Sequence, residues 1–222
     1  MTYLLALEPL MFYPGDRMTR DEFLARWECM PQLKFAELID GMVYMPSPVS
    51  KARGRKDLLL HAWAAFYEAE SGVVEGMAYS TWFMLEDAPQ PDLALRLRSE
   101  FAGQSGDEGR YASGAPEFAA EVSLSSRSYD LGDKLESYQR AGVREYLVVL
   151  LEEQRLEWRV LRDGRYESLG PAAGTYRSEV FPGLWLSEPG FWRHDLKTMM
   201  AVLEDGLRSS EFAAFKQKHL HR

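Results

Sequence analysis

The segment EFAAEVSLSSRSYDLGDKLESYQ, from Glu117 to Gln139, constrains the fold more tightly than any other part of the chain. Successive strand side chains point to opposite faces, so Phe118, Ala120 and Val122 share one face and Glu117, Ala119, Glu121 and Ser123 share the other. A run of small hydroxyl residues follows. A helix from about Leu131 to Ala141 comes next, with Asp130 expected as its N-cap, Arg140 in its last turn and Gly142 as its C-terminal cap. EYLVVLL then reads as a further strand. Strand, helix and strand in this order belong to a sheet covered by helices. An uncompensated acid near the end of a buried strand is costly, and Glu121 is such an acid.

The same alternation recurs in DLALRL, with Leu93, Leu95 and Leu97 on one face and Asp92, Ala94 and Arg96 on the other. In FAELI, Glu37 interrupts an apolar run. If these strands are neighbours, Glu37, Asp92 and Glu121 converge on an alanine-lined face. Three such carboxylates raise one another's pKa unless a cation sits among them, and their hard oxygens suit magnesium or manganese. An acid in a strand also fits a solvated face or an arginine partner, for which Arg96 and Arg144 are available. Lys134 shares a helix side with Leu131, Leu135 and Tyr138. It either snorkels outward or points back over the sheet toward the acids.

Other elements follow from local signals. Thr19 is an N-cap for a helix RDEFLARWECM, and Asp40-Gly41 turns a hairpin in FAELIDGMVYM. A longer helix runs from about Lys51 to Ala69, followed by strands VVEG, AYSTWFML and DLALRLR. The Gly- and Ser-rich stretch from Ser99 to Ala115 reads as an exposed loop. Asp163-Gly164 turns a second hairpin, FPGLWL packs core, and two C-terminal helices close the chain, one capped at His194-Asp195. The expected architecture is one mixed α/β domain over residues 1–222, with a core at about 19–186 and a helical extension at about 187–222.

Composition narrows the function classes. No segment approaches the roughly 18 apolar residues of a membrane helix. The opening MTYLLALEPLMFY lacks a basic leader and is broken by Glu8 and Pro9, which makes it a poor signal peptide. The single cysteine, Cys29, excludes an internal disulfide and a multi-cysteine zinc site, and suits a cytoplasmic protein. A net charge of −8 excludes a global basic footprint, so nucleic acid would need a local patch. KARGRK (Lys51 to Lys56) and the pair Arg96 and Arg98 are the candidates, although such runs also read as a solvated helix start. There is no Gly-x-Ser-x-Gly elbow, and His61, His194, His219 and His221 show no supporting arrangement, which rules out a serine hydrolase reading.

ELIDG, QPDLAL, EVSLSS…YDLGDKLESYQRAGVREYLVV and FPGLW, in that order, resemble the Uma2 family within the PD-(D/E)XK nuclease superfamily, over Thr19 to Leu186. The resemblance implies a restriction-endonuclease-like core: a mixed central sheet flanked by helices, with β-hairpins and C-terminal helices. It matches Asp92 and Glu121 to the family's metal-binding acids and Glu37 to an acid from an earlier element. Ser123 stands where the superfamily normally places its lysine, and Lys134 looks like the migrated substitute, with Tyr138 one turn further along. Arg53 lies where relatives often carry a histidine. The implied activity is phosphodiester hydrolysis in DNA assisted by magnesium or manganese, with Tyr138 and Ser123 in support. A homodimer fits nucleases that cut both strands. The alternatives are a catalytically idle member of the fold serving as a binding or regulatory module, and a hydrolase for another phosphate ester. SLSSRS reads as turn and capping chemistry, or as a minor phosphate contact at the helix start.

Overall fold

Two Asp-Gly pairs set the hairpins. The computed structural model describes residues 11–124 and 126–220, so most of the apolar opening stretch, Ser125 and His221 lie outside it. Helix α1 (Arg20–Glu28) begins where Thr19 accepts a hydrogen bond from the Glu22 amide. Strands β1 (Glu37–Ile39) and β2 (Met42–Tyr44) pair antiparallel around Asp40 and Gly41, whose φ values of 54° and 70° give the left-handed turn that a two-residue hairpin needs. Helix α2 (Lys51–Ser71) is capped by Ser50 at one end and by left-handed Gly72 at the other.

The remaining strands are β3 (Val74–Ala78), β4 (Trp82–Phe83), β5 (Leu93–Leu97), β6 (Gly106–Glu108), β7 (Tyr111–Ser113) and β8 (Phe118–Ser123). After β8 come α3 (Arg127–Asp130), α4 (Asp133–Ala141), β9 (Glu145–Leu150), β10 (Arg155–Arg162) and β11 (Arg165–Leu169). The chain ends with β12 (Thr175–Arg177), β13 (Trp185–Ser187), α5 (Glu188–Arg193), α6 (Leu196–Leu207) and α7 (Ser210–Leu220). The central sheet has the order β11-β10-β9-β8-β5-β3, and its β8–β9 pair is parallel while its other pairs are antiparallel. A parallel pair requires a crossover, and α3 with α4 supplies it. The result is the expected mixed sheet flanked by helices and hairpins.

The alternation along β5 and β8 sorts the two faces as expected. Leu93, Leu95, Leu97, Phe118, Ala120 and Val122 join a core with Trp63 of α2 and Met199 and Leu203 of α6. Ala94 and Ala119 lie on the opposite face with Tyr138 of α4, Tyr146 and Val148. Leu93 pairs with Ala120, so the register puts Asp92 beside Glu121 at one end of the central β5–β8 pair.

Four local expectations need correction. The stretch from Ser99 to Ala115 is not an open loop. It folds into β6 and β7, which join β4 in a three-stranded sheet, and Ala112 and Ala115 are buried. AYSTWFML is not one strand, because Tyr79 takes a φ of 53° and sends the chain from the central sheet into that smaller one. Asp130 does not cap the long helix. It ends the one-turn α3 with its carboxylate buried and accepting from Ser126 Oγ, while Gly132 occupies the cap position of α4. Three C-terminal helices replace the expected two, because Ser187 caps an extra short one (α5); Asp195 does cap α6, and His194 ends α5. No helix among the described residues is long and apolar enough to cross a membrane.

Candidate active site

Glu121 reaches the C-terminal end of β8 on the small-residue face, where alanines allow α4 to lie close above the sheet. Lys134 sits in the first turn of α4 and is 2% exposed. Its Nζ lies 2.7 Å from both Glu121 Oε1 and Glu37 Oε1, so it points inward and joins β8 to the β1 hairpin. Tyr138 donates its hydroxyl to Glu121 Oε1 at 3.1 Å. Glu37 also accepts from the Gln90 amide at 2.6 Å and from Tyr129 at 3.3 Å.

Asp92 lies next to this group but is held separately. One carboxylate oxygen accepts from the Val122 amide at 2.7 Å, and the other meets the Arg53 guanidinium at 2.5 Å. Arg53 therefore enters the site from the first turn of α2 and is the arginine partner of Asp92, in place of Arg96 or Arg144. Arg96 pairs instead with Glu75 and Asp107 at 2.7 and 2.9 Å, and Arg144 donates to Gln104. Arg98 lies 3.9 Å from Glu68, so the Arg96 and Arg98 pair forms no free basic patch. Within KARGRK, Arg53 turns inward and Lys51 and Arg55 face solvent. Ser123 is buried, with its hydroxyl 3.4 Å from that of Ser126, and it makes no hydrogen bond to Glu121 or Lys134.

Two acids absent from the expected set complete the cluster. Asp57, one helical turn after Arg53, is buried and accepts from Tyr79 at 2.8 Å, while its Oδ1 has no partner. Its signal was an acid three residues before Leu60 and seven before Ala64, on the buried stripe of α2. Asp130 is the second. Its carboxylate resembles a capping group in sequence, and only the packing of α3 shows it to be interior. Glu37, Glu121, Lys134, Arg53, Tyr129 and Asp130 line a cavity of about 240 Å³.

Burial raises the proton affinity of Glu121 well above the usual carboxylate range, opposed by Lys134 and reinforced by Asp92, Glu37 and Asp130. Burial raises Asp130 and Asp57 in the same direction. For Lys134, burial favours the neutral amine, but Glu121, Glu37 and Asp130 outweigh it and hold the ammonium charged. The cluster thus places Glu37, Asp57, Asp92, Glu121 and Asp130 against Lys134 and Arg53. This excess of buried carboxylate, with an orphaned oxygen on Asp57, offers hard oxygen atoms of the type that a divalent cation takes. Among the described residues, no three Asp, Glu, His or Cys side chains are placed to hold an ion, and Lys134 and Arg53 pair with Glu37, Glu121 and Asp92.

Not every buried acid belongs here. Glu117, at the opposite end of β8, accepts from the Leu97 and Gln104 amides at 2.9 and 3.0 Å and anchors the chain beyond β5. Glu145 accepts from Ser178, Trp158 and the amides of Glu179 and Val180, and ties the β12 segment to the sheet.

The pattern of the Uma2 family, described as "Putative restriction endonuclease", matches residues 20–188. The chain belongs to the Uma2 family. Among solved structures, this Uma2 chain is similar to one titled as a putative nuclease belonging to DUF820 from Anabaena variabilis ATCC 29413. The two are 14% identical and superpose with a TM-score of 0.61, over 80% of this chain and 98% of the other. That likeness establishes a shared fold. No curated protein matches the chain.

Proposed function

We propose that this Uma2 member is a nuclease that hydrolyses phosphodiester bonds in DNA with the help of magnesium or manganese. The observation that carries this reading is the buried Lys134, held between Glu37 and Glu121 with Asp92 beside them, at one end of the central strands β5 and β8.

Asp92 and Glu121 would hold the ion, with Asp57 Oδ1 and Glu37 as further oxygen donors nearby. A bound divalent ion supplies Lewis-acid polarisation of a phosphoryl oxygen and a lowered pKa for a nearby water. The chain's own groups do the rest. Lys134 stays protonated, so it acts as a donor and not as a base, and its N–H groups would stabilise negative charge growing on the phosphoryl oxygens. Glu37 and Glu121 fix its direction. Burial within the cavity lowers the local dielectric and strengthens that contact. Arg53 brings a second positive charge, and it must loosen its hold on Asp92 Oδ1 for that oxygen to serve elsewhere.

A second reading has its own support. Lys134 and Arg53 satisfy the carboxylates without any metal, as an idle site in a binding or regulatory module would require. One experiment separates the two. Purified protein is incubated with supercoiled plasmid and magnesium or manganese, with RNA as a parallel substrate. Nicking that disappears in Asp92→Ala and Glu121→Ala supports the nuclease. Nicking that survives unchanged in both variants refutes the site, and tight DNA binding with no cleavage supports the idle module.

A further inference from the structure

A second cavity, of about 330 Å³, lies against α2 and is lined by Arg55, Lys56, Leu151, Trp192, Arg193 and His194 among others. None of its lining residues is acidic. Two polar atoms of its lining residues, Trp192 Nε1 and His194 Nδ1, are buried without a hydrogen-bond partner. A buried N–H with no acceptor costs about 1–3 kcal/mol, so an indole donor left in this state calls for a ligand that accepts. Lys56 is anchored by the Phe191 and Trp192 carbonyls at 2.5 and 3.1 Å, which fixes its charge against the cavity wall. Burial, and then the charges of Arg55 and Lys56, lower the proton affinity of His194. Cationic side chains and an unpartnered donor around one hollow recognise an anion.

The position of this cavity selects the anion. Each helical residue advances about 100° around the axis, so Arg55, two positions after Arg53, faces the other side of α2 from the residue that enters the acid cluster. Leu151, which lines the cavity, donates its amide to the Ser123 carbonyl at 3.0 Å, two residues beyond Glu121. The basic hollow and the acidic site therefore lie at the same end of the β8–β9 pair, on different sides of the first turn of α2. The acidic site repels a polyanion, as does the net charge of −8. A strand held there needs a positive anchor close by.

We infer that this hollow binds a backbone phosphate of the nucleic acid whose neighbouring linkage lies at the acid cluster, with Arg55, Arg193 and His194 contacting its oxygens and Trp192 donating from its indole. The inference rests on the nuclease reading for its choice of ligand. It is tested by fluorescence anisotropy of a labelled DNA duplex across a salt series. The protein carries Asp92→Ala so that cleavage does not intervene. Adding Arg55→Ala and Arg193→Ala together should weaken binding about tenfold. It should also reduce the slope of log affinity against log salt by about 1–2, since each phosphate contact contributes roughly 0.9. Both arginines include solvent-facing parts, so the fold should survive their loss. Arg165→Ala, at the exposed start of β11 and outside the lining of the hollow, is a single-charge control and should leave affinity and slope unchanged. An unchanged affinity and slope in the double variant overturns the inference while leaving the nuclease reading intact, whereas a protein that does not bind DNA at all overturns both. If inorganic phosphate binds in an Arg55-dependent way while DNA affinity is indifferent to both arginines, the hollow belongs to a free anion and the inference falls. DNA binding that depends on both arginines, in a protein that never cleaves, keeps the inference and removes the nuclease.

Discussion

Lys134 and Tyr138, one turn apart on α4, converge on the same atom, Glu121 Oε1, at 2.7 and 3.1 Å. One donor is charged and the other neutral, so their removal has different consequences. Lys134→Met strips the cation from between two buried carboxylates. Breaking a buried pair by removing one partner costs about 3 kcal/mol or more. Thermal denaturation should show that loss, and plasmid nicking should fall by at least about a hundredfold.

Tyr138→Phe keeps the ring packed against Tyr146 and removes one neutral hydrogen bond. Stability should fall by about 1 kcal/mol. Nicking should drop by no more than about tenfold, because Lys134 still holds the carboxylate. A loss as large as that of Lys134→Met would move Tyr138 from a supporting role into the chemistry itself.

Arg53→Ala removes the guanidinium from Asp92 and leaves Asp57 with Tyr79 as its hydrogen-bond partner. The metal-free protein should lose about 2–3 kcal/mol, less than for a fully enclosed pair because the Arg53 side chain is 20% exposed. Manganese should restore more stability to this variant than to the wild type, since the carboxylates are then open to the ion. The measurement is the midpoint of thermal unfolding with and without metal. Equal shifts in both proteins would show that Arg53 and the ion do not compete.

Burial raises Glu145 from the ordinary glutamate value of 4.5 to about 7, although four donors favour its charged form. The folded state therefore binds this proton more strongly than the unfolded state does. The contribution to stability is complete below about pH 4.5 and is lost as pH rises through about 7. Glu121, Asp130 and Asp57 act in the same direction, so the wild-type slope is a sum. Denaturant midpoints measured from pH 5 to 8 should decline, and Glu145→Gln, though less stable throughout, should show a shallower decline.

The period-two alternation of leucine with alanine and acid made the two faces of β5 and β8 legible, because strand geometry maps sequence parity onto space. The Asp40-Gly41 and Asp163-Gly164 turns were legible for a similar reason, as few residues accept positive φ. Lys134 could be placed on an apolar helix side, but its choice between solvent and interior depended on how closely α4 approaches the alanines. Strands β4, β6 and β7 are two or three residues long, too short for any periodicity to emerge. The Arg53–Asp92 contact spans 39 residues and joins a helix start to a strand entrance, so no local pattern announces it. Asp130 misled because the residue type that caps a helix also serves as a buried acceptor.

The crossover that makes β8 and β9 parallel is also the segment that delivers the lysine to the acids. A chain whose crossover has not docked lacks the ammonium between Glu37 and Glu121, so the cluster is complete only when α3 and α4 have packed onto the sheet.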